Sequence, residues 1–177
     1  MTESTNFCPC CSLYKLKDEH HCDGRLYLAI PFLNFEKFMS NQYRTSQDKR
    51  CDVLYHKNHK IIFIELKALN WFLKKNPKPQ ELKTDIEVLR NKLKQKFLNS
   101  IRNWYNYDSA TEKNRSLCIV AFSKDVIRRP KLKNYNAIWL KNYLQQRLFP
   151  FANFLDYNGK KIPILIRQCD KLEQFFA

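Results

Sequence analysis

Arg50-Cys51-Asp52-Val53-Leu54-Tyr55-His56-Lys57-Asn58-His59-Lys60-Ile61-Ile62-Phe63-Ile64-Glu65-Leu66-Lys67-Ala68 is the stretch from which this chain is best read. Residues 51–56 and 60–67 have the pattern of two strands joined by a tight polar turn. Both arms carry the β-branched and aromatic residues that fit a pleated surface. With Asn58 and His59 as the two loop residues, Lys57 faces Lys60 and Asp52 falls opposite Glu65. Directly opposed residues hold their Cβ atoms about 5 Å apart. Side chains alternate between faces along a strand, so Lys67 joins Glu65 on the same face. Two carboxylates and an ammonium are expected to converge on one patch. His56 and His59 flank the turn, at the far end from the acids, and carry no expected catalysis.

Such a patch is costly. Ile61, Ile62, Phe63, Ile64 and Leu66 describe a strand covered on both faces, and neighbouring carboxylates repel most where water is scarce. A divalent cation between them offsets the repulsion. Hard oxygen ligands of this kind hold Mg2+ while leaving positions for phosphate oxygens. An ordinary ion pair, with Lys67 neutralising one acid at the sheet edge, accounts for the same residues, and spacing does not choose between the two.

Asp52, a short hairpin, then Glu65-x-Lys67 on an apolar strand resembles the PD-(D/E)xK nuclease superfamily, over roughly residues 32–122 and not at either end. The resemblance implies an α/β (α+β) fold with a restriction-endonuclease-like αβββαβ core, a mixed central sheet flanked by helices. It implies that Asp52 and Glu65 hold Mg2+ (or Mn2+), with the backbone carbonyl of Leu66 as a further ligand. Lys67 would orient or activate the attacking water. Cys51 stands where the family's name has proline. The family's first core helix often supplies a glutamate to the metal or its waters. That role falls to Glu36, the one acid in the helix expected at 35–42, unless it is a solvated surface glutamate. The helix after the catalytic strand can offer polar groups to substrate. Lys92, Gln95 and Lys96 are the candidates there, against the alternative of a solvated charged face.

Upstream of the hairpin, Asn34 is a plausible helix cap for residues 35–42, where Phe35, Phe38 and Met39 form an apolar face. Residues 25–30 are strand-like, and Pro31 is expected to end that strand or to sit at its edge. Residues 43–50 form a polar connection whose Arg44, Lys49 and Arg50 could lie along phosphate. The first 24 residues hold Cys8-Pro9-Cys10-Cys11 and His20-His21-Cys22-Asp23-Gly24. Cys8, Cys11, His20 (or His21) and Cys22 make a ligand set suited to a tetrahedral structural Zn2+. An iron–sulfur cluster, with Cys10 as a spare thiol, and a loose reactive tail are the alternatives. The chain thus divides into a Cys/His-rich extension, residues 1–24, and a nuclease-like domain, residues 25–177.

Downstream, residues 74–79 combine two prolines with several lysines, the mark of a solvated loop or a basic clamp. Trp71 beside them either stacks on a base or sugar or caps the core. Leu82, Ile86, Leu89, Leu93, Phe97, Ile101 and Trp104 recur every three or four residues and predict an amphipathic helix over 81–107. Residues 116–122 read as a buried strand beside the catalytic hairpin. Residues 123–134 form a second basic segment, with Arg128 and Arg129 as candidate phosphate contacts. A helix is expected over 137–148. Asn158-Gly159 signals a type I′ hairpin between 151–157 and 160–167. Phe175 and Phe176 close the chain, to dock on the core or on a second subunit of a homodimer.

At 177 residues and 44% hydrophobic composition, the chain has material for one packed core. Thirty-two Lys and Arg against 17 Asp and Glu leave a formal charge of +15, which favours a polyanion partner, nucleic acid above all, with DNA expected over RNA. No basic amphipathic helix with bulky apolar residues argues for a membrane partner. Seven cysteines without a signal-like start suggest a reducing, cytoplasmic setting. Only Gly24 and Gly159 are present, so a glycine-rich phosphate loop is excluded. A Mg2+-dependent endodeoxyribonuclease is the leading expectation. A non-catalytic nucleic-acid-binding zinc protein and an accessory protein-interaction module are the alternatives.

Overall fold

A computed structural model describes residues 3–7, 25–42, 49–57, 59–67, 79–122, 142, 146–147, 154–168 and 172–176. Strands β1 (Glu3–Phe7) and β2 (Arg25–Asn34) precede helix α1 (Phe35–Gln42). The hairpin β3 (Val53–Lys57) and β4 (Lys60–Lys67) leads to helix α2 (Pro79–Tyr107). A short 3-10 helix (Ser109–Lys113) opens onto β5 (Arg115–Phe122), and a second hairpin, β6 (Phe154–Tyr157) and β7 (Lys160–Gln168), ends in the 3-10 turn Glu173–Phe175. The protein is mixed α/β. Its strands form a seven-stranded sheet in the order β1-β2-β3-β4-β5-β7-β6.

The central hairpin has the register expected from its turn, with Lys57 opposite Lys60 and Val53 opposite Ile64. His59 adopts φ 59°, the left-handed conformation that tight hairpin turns use. β4 and β5 run parallel, as do β5 and β7, while the remaining pairs are antiparallel. Parallel neighbours need a crossover, and α2 supplies the one between β4 and β5. At the other hairpin, Asn158 (φ 51°) and Gly159 (φ 76°) both take left-handed values, as an Asn-Gly type I′ turn requires.

Alternation along the strands divides the core. Leu54, Ile61, Phe63, Cys118 and Val120 pack with Phe35 and Met39 of α1 and Ile86, Leu93, Phe97 and Ile101 of α2. Val53, Tyr55, Ile62, Ile64, Leu66, Ile119 and Ala121 face the other way, where Leu172 and Phe176 cover them. Phe176 lies 4.9 Å from the Tyr55 ring, and Tyr55 Oη donates to its carbonyl at 2.9 Å. Of the two fates open to this residue, docking on its own sheet is the one observed.

The structure departs from expectation at β2 and at residues 3–7. β2 does not stop at Pro31 but continues to Asn34. Around the central hairpin the described elements run β2-α1-β3-β4-α2-β5, with β2 ahead of α1. α1 and α2 lie on one face of the sheet. Residues 3–7, assigned to the extension, form an edge strand paired with β2. Pro31 and the Cys/His pattern are local signals, whereas strand pairing depends on a partner distant in sequence. The cysteine and histidine cluster, the basic segment 123–134 and the loop 74–78 lie outside the described residues. So does the helix expected at 137–148, except for residues 142, 146 and 147, which are helical.

Candidate active site

Three short segments meet at the end of the hairpin remote from its turn. Asn34 caps α1 by accepting from the Lys37 N–H at 3.1 Å, and the Phe35 N–H donates to the Asp52 carbonyl at 3.0 Å. On the other side, Ser100 of α2 accepts from the Cys51 N–H at 2.8 Å while donating to the Lys96 carbonyl. Asn99 donates to the Lys49 carbonyl at 3.3 Å and is itself held by Gln95. The backbone around Asp52 is therefore pinned by α1 and α2 before its side chain is considered.

β3 begins at Val53, so Leu66 has no ladder partner on that side. Its N–H donates instead to Asp52 Oδ2 at 2.7 Å. The N–H and carbonyl of a strand residue project to the same neighbour, so the Leu66 carbonyl points toward the same edge. Asp52 is buried, and burial first, then the charge of Glu65, raises its carboxyl from 3.8 to about 7. The charges of Lys96 and Lys67 and the Leu66 hydrogen bond act in the opposite direction without cancelling it.

Glu65 is fully buried. Its Oε1 lies 2.5 Å from Lys67 Nζ and 2.7 Å from Lys96 Nζ, while Oε2 has no hydrogen-bond partner among the described residues. Burial alone would lower the Lys96 ammonium. Glu65's charge and hydrogen bond, followed by Asp52 and Glu36, outweigh that and raise it. Asp52, Glu65, Lys67 and Lys96 thus form one coupled group, with exposed Glu36 within electrostatic reach of Lys96.

The donor chemistry fits a small divalent ion. Two carboxylates, one with a free buried oxygen, and a main-chain carbonyl at the same edge are hard ligands, and Mg2+ ordinarily keeps several waters besides. No group of three or more His, Cys, Asp or Glu residues converges among the described residues, so any such ion would depend on water and substrate to complete its shell. The Zn2+ candidates Cys8, Cys11, His20 and Cys22 lie outside the described residues, as do Arg44, Trp71, Arg128 and Arg129.

Among the nucleic-acid candidates, Lys49, Lys92 and Gln95 are exposed. Arg50 is not. It is 2% exposed, and among the described residues its Nε and Nη2 find no hydrogen-bond partner. A guanidinium so enclosed cannot lie along a phosphate backbone, which corrects the expectation for that residue. Lys96, a candidate for substrate or for a solvated charged face, turns into the carboxylates. Asn99 and Ser100 escaped notice because small polar residues on a helix carry no signal until the segment they clamp is known.

Compared with known proteins, the chain matches no family model, no curated protein and no solved structure.

Proposed function

We propose that this chain is a Mg2+-dependent nuclease with a restriction-endonuclease-like core, acting in the cytoplasm, with DNA as its substrate. The observation that carries the proposal is the buried pair Asp52 and Glu65, with one carboxylate oxygen free and Lys67 on the same face. Mg2+ or Mn2+ held by Asp52, Glu65 and the Leu66 carbonyl would supply charge neutralisation at the scissile phosphate. Lys67 would orient the attacking water. Hydrolysis forms a new bond from water oxygen to phosphorus and breaks one P–O ester bond, with the proton passing to the departing oxygen. Exposed Lys49 and Lys92, with the +15 net charge behind them, would hold the strand through its phosphates. The Cys/His-rich extension would carry a structural Zn2+.

One observation favours a different reading, a nucleic-acid-binding protein without catalysis. Glu65 already has two ammonium partners on Oε1, as a purely structural ion cluster would. Cleavage of labelled plasmid and single-stranded DNA with Mg2+ or Mn2+ separates the two. Glu65→Ala and Lys67→Ala are expected to abolish cutting while retaining binding. Identical behaviour of both variants and the wild type would leave only the binder.

A further inference from the structure

Lys67 reaches Glu65 from two residues along the same strand, but Lys96 comes from another element. It sits on α2, 31 positions away, with Nζ 2.7 Å from Oε1. Its side chain is 20% exposed, so the ammonium is largely withdrawn from solvent. Ser100, one turn later, bonds both the Lys96 carbonyl and the Cys51 N–H, so the base of this lysine is tied to the segment that bears Asp52. The charged groups acting on it are Glu65 on β4, Asp52 before β3 and Glu36 on α1. Lys67 and Lys96 thus share Glu65 Oε1, with Asp52 and Glu36 within electrostatic reach of Lys96, and the second ammonium stands in for the charge that a divalent ion would bring.

We infer that Lys96 serves as the resident cation of the site before metal enters. It holds Glu65 through Oε1, competes with a divalent ion for that carboxylate, and serves a substrate phosphate once Glu65 no longer retains it. This rests on the nuclease proposal and deepens it. The competition follows from charge: an ammonium on Glu65 opposes entry of another cation, yet makes the site more positive once both are present. That excess is the sign a phosphodiester needs.

The test is calorimetric titration of MgCl2 and MnCl2 into the full chain, paired with plasmid cleavage, for wild type, Lys96→Met, Lys96→Gln and the exposed control Lys113→Ser. Loss of the competing charge is expected to tighten metal binding about tenfold in both Lys96 variants. Removing a group that stabilises developing charge is expected to lower kcat about 100-fold. Lys113→Ser should change neither quantity. Lys96→Gln keeps an amide donor for Oε1 and secures the comparison if the methionine variant does not fold. Unchanged or weaker metal binding in a folded Lys96 variant would overturn the inference, and so would unimpaired cutting. A wild type that takes up no divalent ion sinks this inference and the nuclease together. A wild type that binds metal and cuts, beside Lys96 variants that bind no tighter, sinks this inference alone.

Discussion

Asp52 pays for its position in ionisation. Burial and the adjacent Glu65 raise its folded-state carboxyl to about 7, against an ordinary value of 3.8. A raised value means that the folded protein prefers the protonated form. The stability this confers is complete below about pH 4 and is lost as pH rises through about 7. Asp52→Asn keeps an acceptor for the Leu66 N–H but cannot ionise. With metal chelated, wild type and variant should therefore be nearly equal at pH 4. At pH 8 the variant should be more stable by about 1–3 kcal/mol, checked by denaturant titration at both pH values. If the wild type gained stability relative to the variant on going from pH 4 to pH 8, the proposed coupling to Glu65 would be wrong. Mg2+ added at pH 8 should narrow the difference, because it offers the ionised pair a counter-charge.

The element that aligns the site is α2. Its apolar stripe of Ile86, Leu89, Leu93, Phe97, Ile101 and Trp104 binds it to the sheet. The flank of that stripe presents Lys96, Asn99 and Ser100 to the residues just before β3. A helix that packs in one orientation thus delivers both the core and the clamp. Ser100→Ala leaves the buried Cys51 N–H without its acceptor, a loss of about 1–2 kcal/mol. The chemical consequence should exceed the stability cost, since loosening residues 49–51 frees Asp52 relative to Glu65. A folded Ser100→Ala with weakened divalent binding is the expected result of calorimetry and thermal melting together; a variant with lower stability but unaltered metal affinity would reduce Ser100 to packing. The stripe itself was plain in the sequence, because seven apolar residues from Leu82 to Trp104 recur at spacings of three or four. Which flank of the helix would meet the carboxylates was not, because that depends on how the helix is rotated against the sheet.

For the whole molecule, the excess of positive charge sets the scale of any contact with nucleic acid. Binding through phosphates releases condensed counterions, so affinity for plasmid should fall about 10²- to 10³-fold between 50 and 200 mM salt. Fluorescence anisotropy across that range measures the slope, and a flat response would argue against phosphate contact altogether. Among the described residues no helix is long and apolar enough to cross a membrane. The sequence by itself determined the central hairpin, its register, the long helix, the strand at residues 116–122 and the Asn-Gly turn. Each of these is written in local periodicity or in turn chemistry, which need no distant partner. Only the tertiary structure decided that Pro31 lies within a strand, that residues 3–7 join the sheet, that Arg50 is enclosed and that Lys96 shares Glu65 with Lys67. Those outcomes depend on which surfaces come together across dozens of residues, where burial and charge pairing override what any single residue prefers.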